Sequence, residues 1–67
     1  MDKKFCEGIV VENLPGLKFK VQKENGVEVL AYISGKMSRN HIWINVGDKV
    51  EILIPEYGSI YRIVKRL

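Results

Sequence analysis

One stretch of this sequence constrains its fold more than any other: YISGKMSRNH at residues 32–41, followed by GDKV at 47–50. It is typical of a strand end, a single helical turn that carries cations, and the entry to another strand. One helix within an otherwise all-β series is typical of a small five-stranded Greek-key barrel. The sequence therefore predicts an all-β fold, a single OB-fold domain over residues 1–67 with one short helix between strands 3 and 4.

Apolar runs, alternation of apolar and polar residues, and the turn residues between them place five strands around that helix. We expect them at Phe5–Asn13, Leu17–Gln22, Val27–Ile33, Lys49–Ile54 and Ile60–Lys65. Gly8 marks a bulge or a barrel corner in the first strand, and Asn25-Gly26 predicts a type I′ hairpin turn. Ten apolar positions are predicted to face the core: Leu17, Phe19, Val21, Val27, Val29, Ala31, Ile33, Val50, Ile52 and Ile54.

Length and composition limit the remaining possibilities. A chain of 67 residues makes one domain and buries only roughly 60% of its surface on folding, which leaves no room for a separate catalytic domain. The single cysteine rules out an internal disulfide and fits a reducing compartment. Because no apolar run reaches the ~20 residues that span a bilayer and no signal peptide is visible, we expect a soluble, cytoplasmic protein without membrane contact.

Residues for catalysis or metal binding are too few to form a site. His41 and Cys6 are the one histidine and the one cysteine, and they lie far apart in the sequence. No serine has a plausible His/Asp relay, and no Gly-rich phosphate loop opens a helix. We therefore expect no enzyme activity, no catalytic residue, no metal site and no cofactor; Cys6 is more typical of a half-buried strand residue.

The net charge is +3, so the distribution of the cations matters more than their sum. Lys18 and Lys20 share one strand face about 7 Å apart, where they could bracket a phosphate or simply form a solvated surface. Lys36 and Arg39 lie on one side of the predicted helical turn. A third basic group near the end of the chain consists of Arg62, Lys65 and Arg66. If the barrel brings these groups to one face, that face is suited to nucleic acid.

Aromatic residues matter because RNA-binding barrels stack unpaired bases on them. Phe19 alternates into the core, whereas Tyr32 lies on the opposite strand face and is expected to be exposed. Trp43 has two open interpretations: a stacking platform at the mouth of a groove, or a lid on the barrel end with its indole N–H in water. His41 is more typical of a residue that makes ordinary surface hydrogen bonds.

The sequence also resembles that of bacterial translation initiation factor one, from about Cys6 to Arg66. The block ISGKM at 33–37, combined with GDKV at 47–50, is specific at this spacing. Further matching residues are Glu7-Gly8, Leu14-Pro15, Phe19-Lys20-Val21, Glu24-Asn25-Gly26, Ala31-Tyr32, Asn40, Ile42, Ile44 and Arg62-Ile63-Val64.

The resemblance implies an OB-fold protein that binds the rRNA decoding region of the small ribosomal subunit at the A site and also contacts a ribosomal protein. It implies that the protein occludes that site, favours initiator tRNA in the P site and cooperates with the second and third initiation factors. We expect it to be a monomer. The rRNA-binding residues implied are Lys20, Tyr32, Lys36, Met37, Arg39, Arg62 and Arg66, with Lys18, His41, Trp43 and Lys65 as possible additional contacts.

The chain also departs from the family pattern. Ser38 and Trp43 stand where the family usually has basic residues, His41 and Tyr32 replace a typical Tyr and His, and Ile60-Tyr61 replaces a basic-Gly pair. Each missing phosphate contact lowers the salt slope of the affinity by roughly 0.7–0.9. Stacking on Trp43 or Tyr61, at about 1–3 kcal/mol per base, could offset this loss.

Two other functions fit an OB-type barrel. A general single-stranded RNA-binding domain of the cold-shock or S1 type would need a row of exposed aromatic residues on adjacent strands. A barrel that binds only a protein partner would associate without dependence on salt. Binding of unstructured oligonucleotides in the absence of ribosomal subunits separates the first of these from an initiation factor.

Overall fold

The computed structural model describes residues 3–33, 35, 37 and 43–67. It contains five strands: β1 (Phe5–Leu14), β2 (Lys18–Lys23), β3 (Glu28–Ile33), β4 (Lys49–Leu53) and β5 (Ile60–Arg66). Every strand end lies within one residue of the position predicted from alternation. Apolar periodicity together with the turn residues between strands was therefore enough to locate them.

The strands form a closed barrel in the order β1-β2-β3-β5-β4, and pairing of β4 with β1 completes the closure. The pairing of β3 with β5 is parallel, and the other four pairings are antiparallel. Closure gives each of these strands two hydrogen-bonded neighbours, so none is left as a free edge. The predicted five-stranded barrel is confirmed.

The core consists of the inward-facing side chains of all five strands, with Met37 and Ile44 from the segment between β3 and β4. Phe19, Ala31 and Ile63 are among the buried residues, as alternation requires. Leu17 and Val27, by contrast, were predicted to face inward and are exposed. Leu17 has a φ of 58°, which takes it out of the extended conformation of β2, and Val27 lies in the hairpin beyond the end of the β2–β3 ladder.

The hairpin between β2 and β3 is confirmed, but its predicted turn type is wrong. A type I′ turn needs positive φ at both central residues, whereas Gly26 has a φ of 87° and Asn25 is not among the residues with positive φ. The Gly26 N–H donates to the Lys23 carbonyl at 2.9 Å, and the Lys23 N–H donates to the Val27 carbonyl at 2.8 Å. These bonds close a three-residue loop in which glycine takes the left-handed position, the second common hairpin form.

Gly8 is required by a close approach of β1 to β2. A Cβ at this position would lie 2.5 Å from Val21 Cγ1 and 2.8 Å from the Gln22 carbonyl oxygen. The irregularity of β1 lies elsewhere, since the register with β2 shifts between Val10 and Glu12. Gly8 therefore marks the place where two strands crowd together, and the bulge follows it.

The predicted short helix between β3 and β4 is not confirmed. Within the described part of that segment, Gly35 and Met37 have helical backbone conformation, and the other residues from 34 to 42 lie outside the description. All regular elements established for residues 3–33 and 43–67 are strands. Over the residues that the structure covers, we find no helix that is long and apolar enough to cross a membrane.

Candidate nucleic-acid interface

Three predicted contact residues lie side by side on the outer surface of the barrel. Lys18 of β2 pairs in register with Tyr32 of β3, and Tyr32 pairs with Arg62 of β5. Adjacent strands are about 4.8 Å apart, so the three backbone positions span roughly 10 Å. We call this set the Lys18–Tyr32–Arg62 strip.

The strip combines positive charge with an accessible aromatic ring. Tyr32 is 38% exposed, and Lys18 is exposed beside it. Within the described residues, neither Lys18 nor Arg62 has a carboxylate within 4 Å. Both cations can therefore interact with an external anion without first leaving an ion pair.

Arg62 is half-buried, and its Nε is enclosed without a hydrogen-bond acceptor among the described residues. Leaving such a donor unsatisfied costs about 1–3 kcal/mol. A guanidinium carries five N–H donors, and it binds phosphate best through two at once. Because the enclosed Nε is out of reach of an outside anion, a phosphate would engage the remaining guanidinium donors.

Lys20 lies on the same face of β2 as Lys18 but in a different electrostatic environment. Its Nζ is 3.3 Å from Glu12 Oε1 and 3.9 Å from Glu28 Oε1. These half-exposed pairs add at most about 1 kcal/mol each to stability, yet two carboxylates beside the ammonium repel an incoming phosphate. The sequence analysis named Lys20 as an rRNA-binding residue and Lys18 only as a possible additional contact. The structure favours Lys18 as the phosphate-binding lysine of the two.

A second basic and aromatic group lies at the end of the barrel where β4 begins and β5 ends. The Arg66 guanidinium donates from Nη1 to the Trp43 carbonyl oxygen at 2.9 Å. The Trp43 side chain is 74% exposed, so it does not cover the barrel end. Lys65 is exposed next to Arg66 and pairs in register with Glu51.

Met37 is in the hydrophobic core. Its side chain is 3% exposed and packs in the same cluster as Phe19 and Ile63. In this position it supports the barrel and exposes little surface to RNA; its contact with rRNA stays a prediction. The other predicted residues of this segment, Lys36, Arg39 and His41, lie outside the described residues.

The opposite end of the barrel holds the remaining polar side chains of interest. Lys23 Nζ lies 3.4 Å from the Tyr61 hydroxyl and 5.5 Å from the centre of its ring. Tyr61 packs against the core and is only partly exposed, which makes it a poor stacking platform. Burial raises the pKa of the nearby Cys6 thiol, with Lys23 lowering that pKa and Glu24 raising it by smaller amounts.

The structure thus brings together some predicted residues and separates others. Lys18, Tyr32 and Arg62 converge because β5 pairs in parallel with β3, a long-range pairing for which the sequence carries no local signal. Arg66 lies four residues beyond Arg62 on the same strand. The two glutamates beside Lys20 are visible in the sequence, but only the register of β1, β2 and β3 places them there. Residues 3–33, 35, 37 and 43–67 contain no cluster of three or more His, Cys, Asp or Glu side chains that could hold a metal ion.

Comparisons with known proteins agree with this architecture. A family model described as translation initiation factor 1A / IF-1 matches residues 2–67. The solved structure of translation initiation factor one from the Wolbachia endosymbiont strain TRS of Brugia malayi is 34% identical, with a TM-score of 0.82. That match covers 97% of this chain and 78% of the Wolbachia protein.

A second solved structure, YjeQ from Thermotoga maritima, is 32% identical with a TM-score of 0.80. The match covers 96% of this chain and 23% of YjeQ, so the likeness is to one part of a longer protein. The family match, in contrast, extends over nearly every residue of the present chain. The chain therefore belongs to the translation initiation factor 1A / IF-1 family, whose members are RNA-binding OB-fold proteins of protein biosynthesis.

Proposed function

We propose that this protein binds the rRNA of the small ribosomal subunit at the A site and assists selection of initiator tRNA together with the second and third initiation factors. The observation that carries this proposal is the Lys18–Tyr32–Arg62 strip, found on a chain that belongs to an initiation-factor family. The protein acts by binding, in the cytoplasm and as a monomer, and it also contacts a ribosomal protein.

The strip suits folded RNA. Phosphate contacts fix the register and orientation of a protein on a nucleic acid, and two cations whose backbone positions lie roughly 10 Å apart supply such contacts. Between them, the Tyr32 ring and hydroxyl are available to a base or a ribose 2′-hydroxyl, which are the groups that RNA-binding proteins recognise in irregular RNA. Lys36, Arg39 and His41 remain predicted contacts on the segment that follows β3.

The alternative of a general single-stranded RNA-binding domain has less support. Such domains stack successive bases on aromatic side chains of neighbouring strands. Within the described strands, the exposed aromatic residues are Phe5 on β1 and Tyr32 on β3, and β2 lies between those strands. Phe19, the aromatic residue of β2, is buried in the core.

Two lysine variants on one strand test the proposal. Wild type, Lys18→Ala and Lys20→Ala are each sedimented with isolated small ribosomal subunits over a range of salt concentrations. Loss of one phosphate contact lowers the slope of log affinity against log salt by roughly 0.7–0.9. We expect that reduction for Lys18→Ala and a clearly smaller one for Lys20→Ala, because the Lys20 ammonium is already paired with Glu12 and Glu28.

Two results would contradict the proposal. Failure of the wild-type protein to sediment with small subunits at low salt would refute it directly. Equal slopes of log affinity against log salt for wild type and Lys18→Ala would show that the Lys18–Tyr32–Arg62 strip does not belong to the interface. Tight binding of unstructured oligonucleotides without subunits, measured by gel shift, would instead support the single-stranded RNA-binding alternative.

A further inference from the structure

Trp43 is a large aromatic side chain that the barrel holds in water. Its backbone is held on the C-terminal side, since Ile44 is buried in the core and the Trp43 carbonyl oxygen accepts a hydrogen bond from Arg66. The residue is 74% exposed and belongs to no part of the hydrophobic core. A tryptophan whose backbone is held in place and whose ring is exposed to solvent is well suited to stack against a planar group.

The surroundings of Trp43 favour a nucleic-acid partner over an apolar one. One Nη donor of Arg66 is used on the Trp43 carbonyl, which leaves other guanidinium donors for an outside acceptor. Lys65 is exposed beside it, and among the described residues neither cation has a carboxylate within 4 Å. A base can stack on the indole while its phosphate binds the guanidinium, a combination typical of RNA interfaces.

Trp43 is connected to the Lys18–Tyr32–Arg62 strip through β5. β5 runs from Arg62, beside Tyr32, to Arg66, which contacts Trp43. Four residues of strand cover about 13 Å. The register of β5 with β4 shifts between these two arginines, and Arg66 pairs with Val50, so Arg66 and Trp43 lie at the barrel end next to the strip rather than on the same strand face.

We infer that Trp43 is a stacking platform for an unpaired base of the small-subunit rRNA, and that Arg66 binds the phosphate next to that base. This inference rests on the proposed function and adds a contact of a defined kind. It assigns the indole to RNA recognition and excludes a role as a lid on the barrel.

Three substitutions at Trp43 separate stacking from other contacts. Trp43→Phe keeps an aromatic face, Trp43→Leu keeps apolar bulk without a π-face, and Trp43→Ala removes both. In sedimentation with small ribosomal subunits, we expect Trp43→Ala and Trp43→Leu to weaken binding by about 5- to 150-fold, the range that base–aromatic stacking supports, and Trp43→Phe to retain most of it. Tyr57→Ala is the matched control, because Tyr57 is 88% exposed in the loop at the other end of β4 and should leave binding unchanged.

Fluorescence gives a direct readout, because Trp43 is the one tryptophan of the chain and RNA contains none. Addition of a protein-free transcript of small-subunit rRNA should quench the emission of the wild-type protein. All Trp43 variants should melt like wild type, since the ring is exposed.

Several outcomes would overturn the inference. One is an unchanged affinity of Trp43→Ala or Trp43→Leu for the small subunit. Another is weakened subunit binding by these variants without quenching of wild-type emission by protein-free rRNA, a result that would indicate contact of the indole with a ribosomal protein. In each of these cases wild type still binds the subunit, so the proposed function stands. Absence of wild-type binding would overturn the proposed function and this inference together.

Discussion

Gly8 is the one glycine of the chain at which an added Cβ would meet atoms of the described residues within 4 Å, and Gly8→Ala tests whether the barrel can accommodate it. The added methyl carbon would lie 2.5 Å from Val21 Cγ1 and 2.8 Å from the Gln22 carbonyl oxygen. Val21 is completely buried, and Gln22 pairs with Ile9 in the β1–β2 ladder. Relief therefore requires a shift of core packing and of strand pairing together.

Overpacking of this kind costs about 1–3 kcal/mol, and because one of the two obstacles is backbone we expect the upper part of that range. A domain of this length has a total stability of roughly 3–10 kcal/mol. At about 4–8 °C per kcal/mol for a small domain, a loss of 2–3 kcal/mol lowers the melting temperature by roughly 8–24 °C. Thermal unfolding followed by circular dichroism measures this shift.

Gly35→Ala is the matched control, because a Cβ there meets no described atom within 4 Å and the residue is exposed. Its effect should stay within about 0.5 kcal/mol. Equal melting temperatures for Gly8→Ala and Gly35→Ala would refute the close-approach argument. Combining Gly8→Ala with Val21→Ala should destabilise less than the sum of the two changes, by about 0.5 kcal/mol or more; strict additivity would identify the Gln22 carbonyl as the sole obstacle.

Three further predictions concern single residues. Met37→Ala should lower the free energy of unfolding by about 2–5 kcal/mol in a denaturant titration, and an unchanged midpoint would argue against its place in the core. Leu17→Gly should raise the melting temperature, because a left-handed conformation costs a leucine about 1–2 kcal/mol and glycine loses only about 0.5–1 kcal/mol in entropy; a lower melting temperature would contradict this. Burial raises the pKa of the Cys6 thiol, so alkylation by iodoacetamide should have its pH midpoint above that of free cysteine. Because of the same shift, the free energy of unfolding should be constant below the ordinary thiol pKa and should fall as the pH rises from there through the raised pKa. An alkylation midpoint equal to that of free cysteine would contradict the burial of the thiol.

Much of the fold could be predicted because its signals are local. Apolar runs, alternation and turn residues located all five strands, and Asn25-Gly26 marked a hairpin. The errors are local as well. In the sequence, Leu17 continues the alternation of β2, but its positive φ takes it out of the strand. The turn at Asn25-Gly26 has positive φ at one residue rather than at two.

The candidate site depended on information that a linear sequence does not contain. Composition and spacing showed that the chain carries clustered cations and unusual aromatic residues, and the family pattern pointed to RNA. Only the tertiary structure decided which of them are available. Strand register places two glutamates beside Lys20 and gives Lys18 no carboxylate partner in the part of the chain that the structure describes, and the parallel pairing of β3 with β5 brings Arg62 beside Tyr32. Residues far apart in the chain become neighbours through barrel closure, and electrostatic interactions depend on those distances.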